Sequence, residues 1–181
     1  MTSSSTQLTA ASPAFDRRAL EALYVKLERK IYNVVYRWLW NPDDAADVTQ
    51  EAFVKLWSMR ARVRPDTVEA LAYRIAVNTA ANRRRARRLW NVVTLDSLTS
   101  PAHDHEATDL ERRVRAAVDA LPERLRRVVV LAEFSGMTAK EIGAGLDLQE
   151  GTVASRRHHA LAQLKTALGP LMGTDTEHGD E

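Results

Sequence analysis

The chain has no cysteine among its 181 residues, so neither a disulfide framework nor a thiolate metal site can form. Strand signals are nearly missing, and no apolar run approaches the length that crosses a bilayer. Residues 1–14 are rich in serine and threonine and have neither the basic start nor the apolar centre of a signal peptide. These features exclude a disulfide scaffold, an integral membrane protein and a secreted one. We therefore expect a soluble protein of the cytoplasm.

The net charge is small, but the charged residues are unevenly placed along the chain. The formal net charge is +2, and 45% of the residues are hydrophobic, which is enough for a packed core. Basic residues cluster within residues 60–64, 83–88 and 112–127, whereas the stretch from Asp175 to Glu181 is acidic. Charge separated in this way is typical of a protein that contacts a polyanion through selected faces.

Apolar residues recur at helical spacing in every ordered stretch, which predicts an all-α fold. The pattern favours two small helical domains, residues 15–90 and 109–169, joined by a flexible linker at residues 91–108. Residues 1–14 are predicted to be a disordered tail and residues 170–181 an acidic tail. The linker has little apolar content, so we expect the two domains to move freely relative to each other.

The third predicted helix of the first domain is unusually basic. It begins with the apolar residues Ile75 and Ala76 and continues through a run of arginines and asparagines that ends at Trp90. Guanidinium groups suit phosphates and amide groups suit base edges, so the helix indicates a nucleic-acid surface. A solvated basic helix face is the competing interpretation, and it is the commoner meaning of an isolated charge run.

The second domain carries a helix-turn-helix pattern. Thr138 and Glu141 have the spacing of a capping box, which opens a short helix. A turn is predicted at Asp147 and Leu148, followed by a last helix from Glu150 to about Leu168. Two helices joined by such a tight turn are typical of DNA-binding proteins.

Three segments together give a specific resemblance. They are DDAADVTQEAFVKLW at residues 43–57, AYRIAVNTAANRRRARR at residues 72–88, and LPERLRRVVVLAEFSGMTAKEIGAGLDLQEGTVASRRHHAL at residues 121–161. In order and spacing they resemble regions two and four of a bacterial RNA polymerase sigma factor of the extracytoplasmic-function (ECF) type. The resemblance implies a protein that binds core polymerase, recognises the minus-35 and minus-10 promoter elements and promotes DNA melting, in a stress or envelope-response regulon.

For the second helix, the resemblance implies docking on the coiled coil of the largest polymerase subunit. Asp47, Gln50, Glu51 and Val54 fall on one side of that helix, opposite its apolar stripe. Trp57 borders either face. The predicted core-binding residues are therefore Asp47, Gln50, Glu51, Val54 and Trp57. A solvated acidic face is the competing interpretation of the segment in isolation.

For the third helix, the resemblance implies contact with the melted minus-10 element and capture of a flipped base. The assigned residues are Asn78, Asn82, Arg83, Arg84 and Arg87, with Arg62 and Arg64 in the preceding loop. Asn78 has an equally weighted alternative role, because an asparagine among apolar residues also serves as a buried group that bonds a neighbouring loop.

For the last helix, the resemblance implies entry into the major groove at the minus-35 element. The assigned residues are Thr152, Ser155, Arg156, Arg157, His158 and His159. Arginine to guanine is the commonest specific contact, so Arg156 is the leading candidate. The sequence departs from the family pattern at four positions: Ala154, Arg157, Gly145 and Asp147. The family usually has a basic residue at the position of Ala154 and an apolar residue at that of Arg157. It usually has a larger apolar residue at the position of Gly145 and a glycine at that of Asp147, although an aspartate still tolerates the left-handed turn.

No catalytic or metal chemistry is indicated. His103 and His105 lie in the predicted acidic linker without fixed supporting groups, so we expect neither a metal site nor any cofactor. No nucleophile has an adjacent base, so the chain is not expected to be an enzyme. The implied partners are core polymerase, through its largest-subunit coiled coil and its flap region, promoter DNA and an anti-sigma factor. Two alternatives stay open: a conventional helix-turn-helix regulator that does not bind polymerase, and an RNA-binding or nuclease-like enzyme.

Overall fold

The computed structural model describes residues 15–94 and 108–169, and within those ranges it contains helices and turns but no strand. The predicted all-α fold is confirmed. The first three helices form an N-terminal unit: α1 (Arg17–Leu39), α2 (Pro42–Ser58) and α3 (Val68–Thr94), with a 3₁₀ turn at Arg60–Arg62 before α3. The other four form a C-terminal unit: α4 (Asp109–Ala120), α5 (Glu123–Phe134), α6 (Ala139–Leu146) and α7 (Glu150–Leu168).

Local side chains set the ends of α1 and α2. The Asp16 carboxylate accepts a hydrogen bond from the backbone N–H of Ala19 at 2.8 Å and so caps the start of α1. The Asn41 side chain caps α2 in the same way, at 2.9 Å from the N–H of Asp44. Pro42 follows at the first helical position, where its missing N–H costs nothing. The predicted break between the first two helices therefore lies where the chemistry of Asn41 and Pro42 requires it.

The apolar stripes of the three long helices form the core of the N-terminal unit. Ile31 and Val34 of α1, Leu56 of α2 and Val77 of α3 are all fully buried. Each large apolar side chain taken out of water contributes about 1.5–3 kcal/mol. This core fixes the rotation of α2 and α3 and thereby decides which of their polar side chains face outward.

Helix α3 is longer than the sequence pattern predicted. It ends at Thr94, whereas the first domain was expected to end at residue 90. The Ser/Thr-rich composition that suggested a linker begins before the helix ends, and tertiary context commonly overrides such weak preferences. The rest of the predicted linker, residues 95–107, and both predicted tails lie outside the described residues.

The C-terminal unit is built from short helices with strong local signals. The capping box of Thr138 and Glu141 is present, with the Glu141 carboxylate accepting from the N–H of Thr138 at 2.7 Å. A second capping box, Thr108 with Glu111, opens α4 and was not anticipated. Asp147 ends α6 in the left-handed conformation at φ 58°, which confirms that aspartate sustains this turn.

The two units share an interface made by α3 and α1 with α4, α5 and α6. Gly145 of α6 faces α3 so closely that a Cβ there would lie 3.2 Å from the backbone oxygen of Ala70. The buried Tyr73 hydroxyl donates a hydrogen bond to the backbone oxygen of Ser135 at 3.3 Å. Burial, reinforced by Glu69, raises the pKa of Tyr73 to about 12. The two domains were expected to move freely relative to each other, and in this structure they are in contact through helix faces, which the composition of the linker does not report.

The described ranges contain neither a membrane-spanning helix nor a metal-binding cluster. None of the helices there is long and apolar enough to cross a membrane. No three histidine, cysteine, aspartate or glutamate side chains gather there as a metal-binding group. The candidate pair His103 and His105 lies outside the described residues.

Candidate nucleic-acid interface

The outward side of α2 carries the residues predicted to dock on polymerase. Asp47, Gln50 and Val54 are exposed, with 67% of Val54 accessible, and Glu51 and Trp57 are half-buried. They lie there because Val48, Ala52 and Leu56 turn the opposite side of α2 into the core. The Glu51 carboxylate is not unpaired, since it forms a salt bridge with Lys55 one turn further along at 2.6 Å. The structure thus brings these candidates together on one surface.

An apolar groove of about 380 Å³ borders this surface between α1 and α2. Tyr24 and Val25 of α1 form one wall, and Val54 and Trp57 of α2 form the other. Val25 is 85% exposed, and the Tyr24 ring lies 4.8 Å from that of Phe53, centre to centre. Sequence reasoning missed Tyr24 and Val25, although both fall outside the buried stripe of α1 and are large apolar residues on its outward side.

The arginines of α3 do not form a single surface. Arg83 and Arg87, one turn apart, face α2: Arg83 lies 3.2 Å from Asp44 and 3.6 Å from Glu51, and Arg87 also pairs with Asp44. The Asp44 carboxylate that both arginines contact is only 13% exposed, which holds these pairs in place more firmly than pairs on the open surface. From the sequence, Arg83 and Arg87 were expected to group with the asparagines of α3. In the structure these two arginines contact α2 instead, because their four-residue spacing places them on the same side of α3.

Other residues predicted to contact the minus-10 element face the C-terminal unit. The side-chain oxygen of Asn78 accepts a hydrogen bond from Arg127 of α5 at 2.8 Å. Arg84 pairs with Asp119 of α4. Asn78 is thus half-buried and bonded to another helix, so its partner is a distant residue and not the neighbouring loop of the structural role weighed for it; its contact with DNA stays a prediction. In this arrangement Asn78 and Arg84 are covered by α4 and α5.

Asn82 and the loop arginines remain accessible. Asn82 is exposed and accepts a hydrogen bond from Arg85 at 3.0 Å. Arg62 is exposed in the 3₁₀ turn, and Arg64, also exposed, pairs with Asp66 at 3.1 Å. Exposed pairs of this kind contribute little to stability, so these side chains can exchange partners readily.

Helix α7 presents most of its predicted DNA-contacting residues outward. Val153 and Ala160, two turns apart, anchor the helix in the core. Ser155, His158 and His159 are exposed, and Thr152 and Arg156 are half-buried. The turn that precedes α7 packs closely against α6, because a Cβ on Gly143 would lie 2.5 Å from the backbone oxygen of Leu148. Only glycine fits that position of the helix-turn-helix.

Arg157 differs from its predicted role. Its Nε donates a hydrogen bond to the Glu133 carboxylate of α5 at 2.9 Å, with about half of the side chain exposed. It therefore bridges α7 to α5 at the edge of the packed side, instead of lying with His158 and His159. Its position four residues after the buried Val153 explains this direction.

The fold and these surfaces define a two-unit helical protein with a helix-turn-helix in its second unit. Residues 23–89 match the family model of Sigma-70 region 2, and residues 111–164 match that of Sigma-70, region 4. The chain is 32% identical over 173 residues to the RNA polymerase sigma-H factor of Pseudomonas aeruginosa, covering 87% of this chain and 90% of that one. It is 31% identical, with the same coverage, to the ECF RNA polymerase sigma-E factor of Escherichia coli K12.

Two solved structures are similar over most of the chain. CnrH in complex with the cytosolic domain of CnrY has a TM-score of 0.66 at 25% identity and covers 86% of this chain and 90% of that one. The sigma factor RpoE of Bartonella quintana, with the anti-sigma factor NepR, has a TM-score of 0.64 at 19% identity, covers 84% and 98%, and shows the fold alone. The chain therefore belongs to the sigma-70 family of RNA polymerase sigma factors, within its ECF type. This supports the sigma-factor function over the conventional regulator.

Proposed function

We propose that the exposed side of α2 docks on the coiled coil of the largest polymerase subunit. The observation that carries this proposal is the accessible surface of Asp47, Gln50 and Val54 beside an apolar groove. A mixed acidic and apolar surface is the composition expected of a specific protein interface. Transcription chemistry belongs to the polymerase, and this chain selects the promoter for it in the cytoplasm.

On the DNA side, α7 enters the major groove of the minus-35 element through Ser155, Arg156, His158 and His159, with a second contact of the C-terminal unit on the polymerase flap. Asn78, Asn82 and Arg84 hold the melted minus-10 strand once the C-terminal unit has moved away from α3. The exposed Arg62 and Arg64 add phosphate contacts from the loop. Arg83 and Arg87 keep α2 and α3 in register, since their carboxylate partners lie on α2.

The test of the docking surface is a pull-down with core polymerase. Gln50→Ala combined with Glu51→Ala should weaken binding by about 1–2 kcal/mol, roughly 5–30-fold, while the helical circular dichroism stays unchanged. Gln163→Ala is the matched control, because Gln163 is an exposed helical glutamine of the other unit. Undiminished binding by the double variant would remove α2 from the interface.

We also propose an anti-sigma factor as a partner. The structural neighbour from Bartonella quintana is in complex with one, and the apolar groove beside Val54 offers a comparable partner a surface to cover. A purified candidate should block run-off transcription by this chain and leave transcription by a different sigma factor unchanged. Failure to block would exclude that candidate. The same assay on a pool of genomic promoters would identify the regulon, which we expect to answer stress or envelope damage.

A further inference from the structure

A polar cavity of about 410 Å³ lies where α3 meets the corner between α4 and α5. Its size falls within the range of about 300–1,000 Å³ that is typical of small-molecule sites. Four arginines and two carboxylates line it: Arg84, Arg85, Arg88, Arg126, Asp119 and Glu123. Two positive charges are therefore unmatched within the lining.

The two carboxylates are already shared. Asp119 pairs with Arg84 and also lies 3.8 Å from Arg126. Glu123 lies 3.4 Å from Arg85 and 2.7 Å from Arg127, and these neighbours lower the pKa of its carboxyl group. Within the described part of the chain, Arg88 has no carboxylate partner. The cavity thus holds guanidinium groups whose charge the carboxylates of the described residues do not neutralise.

Arg126 is the buried arginine of the cavity, and backbone oxygens fix the position of its guanidinium group. Its side chain is buried and donates hydrogen bonds to the backbone oxygens of Val118 at 2.9 Å and Leu121 at 3.0 Å. Burial lowers the pKa of Arg126 to about 10, and the positive charges of Arg84 and Arg88 act in the same direction. Arg126 still carries its charge at neutral pH, so the repulsion among these groups persists. A bound anion would relieve it.

We propose that this cavity binds an oligophosphate anion, either free inorganic polyphosphate or the phosphate chain of a nucleotide. Guanidinium groups present paired donors that match phosphate oxygens, and phosphate is the small anion whose charge fits a cluster of arginines. Helix α5 also begins at the cavity with Pro122 and Glu123, which places its positive end toward the ligand.

The bound anion would also hold the two units together. Three of the arginines belong to α3 and the fourth to α5, so the complete site exists only while the units are in contact. A ligand that binds one conformation shifts the population toward it. A further consequence rests on the proposed function: because Arg84 is also assigned to promoter DNA, a bound oligophosphate would compete with that DNA.

The experiment is isothermal titration of the full chain with inorganic tripolyphosphate at constant ionic strength. We expect one site per chain, and Arg88→Gln should weaken binding at least fivefold. Arg88 has no carboxylate partner among the described residues, so this variant should keep the melting temperature of the unliganded chain. Arg74→Gln is the matched control, since Arg74 is an exposed arginine of α3 that does not line the cavity.

Titrations with other ligands distinguish a nucleotide from a phosphate chain alone. Tighter binding of ATP than of tripolyphosphate would assign the site to nucleotides, and equal binding would assign it to the phosphate chain alone. Small-angle scattering should show a smaller radius of gyration when tripolyphosphate is added. No binding, an equal loss in both variants, or binding of a single-stranded oligonucleotide but not of tripolyphosphate would overturn the proposal. None of these readouts involves polymerase, so they are independent of the docking test.

Discussion

Arg83 and Arg84 are neighbours in the sequence and have different partners. A helix turns about 100° per residue, so Arg83 points to the acids of α2 and Arg84 to Asp119 of α4. The basic run of α3 therefore divides into a part that holds the N-terminal unit together and a part that contacts the C-terminal unit. Substituting an arginine of the first part should affect stability, whereas substituting one of the second should affect the contact between units.

Arg156 and Arg157 give a sharper contrast at the residue scale. Arg156→Ala should lower affinity for the preferred upstream element by about 1–3 kcal/mol if the guanidinium contacts a guanine. Arg157→Ala is the matched control and should have a smaller effect that is the same on all sequences, because Glu133 already binds its Nε. Binding isotherms on the preferred and on a scrambled duplex measure both. Equal losses on the two duplexes for Arg156→Ala would make it a phosphate contact.

At the scale of elements, the helix ends that local side chains set were the most predictable features, in contrast to the end of α3 at Thr94. The Asn41–Pro42 break, the capping box at Thr138 and the last helix from Glu150 to Leu168 were all predicted and are confirmed. Each depends on residues within one turn of one another, so the sequence contains the whole cause. The inner faces of α1 and α2 were predictable for a similar reason, because helical spacing alone selects residues such as Ile31 and Leu56.

The partners of side chains were not predictable from the sequence. Asn78 bonds Arg127, which is 49 residues away, and Arg157 bonds Glu133 across two helices. These pairs depend on the packing angle between helices, which no local pattern encodes. The sequence therefore predicted the basic helix α3, whose contact with DNA stays a prediction, while the division of its arginines between α2 and the C-terminal unit required the structure.

The capping box of α6 leads to a pH-dependent prediction. Hydrogen bonds from the backbone and hydroxyl of Thr138 lower the pKa of Glu141. A lowered folded-state pKa means that this stabilisation is complete above the unfolded value near 4.3 and is lost as the pH falls through the folded value. We expect urea unfolding to show this loss as the pH falls below about 4.3, and Glu141→Gln to reduce it.

Thr138→Ala tests the other half of the same capping box. It should lower the free energy of unfolding by about 1 kcal/mol at pH 7, because the N–H of Glu141 loses its acceptor. Glu150→Gln is the control for Glu141→Gln, since Glu150 is an exposed first-turn glutamate of α7 without such a box. A pH slope that is the same in wild type and in Glu141→Gln would contradict this account.

At the scale of the whole molecule, contact between the units covers one of the proposed binding surfaces and leaves others open. Asn78 and Arg84 lie under α4 and α5, whereas Gln50 and Val54 of α2 and His158 of α7 remain exposed. With the roles proposed above for these residues, the free chain can meet polymerase before it can engage the melted strand. We expect binding of polymerase and opening of the two units to be separable steps, with the first insensitive to substitutions at the contact between units.

Gly145 provides the means to separate them. The family usually has a larger apolar residue there, but in this chain a Cβ would already lie 3.2 Å from the backbone oxygen of Ala70. A leucine cannot fit while α6 contacts α3, and overpacking of this kind costs about 1–3 kcal/mol. Gly145→Leu should therefore shift the free chain toward the open form, with a larger radius of gyration in small-angle scattering and faster proteolysis within residues 95–107.

Ala144→Leu is the matched control, because Ala144 is an exposed residue of the same helix. Helical circular dichroism and binding of the polymerase coiled coil through α2 should stay at wild-type levels in both variants, since neither residue lies on α2. If Gly145→Leu gave the same scattering curve as wild type, the contact between α3 and α6 would not be what keeps the two units together.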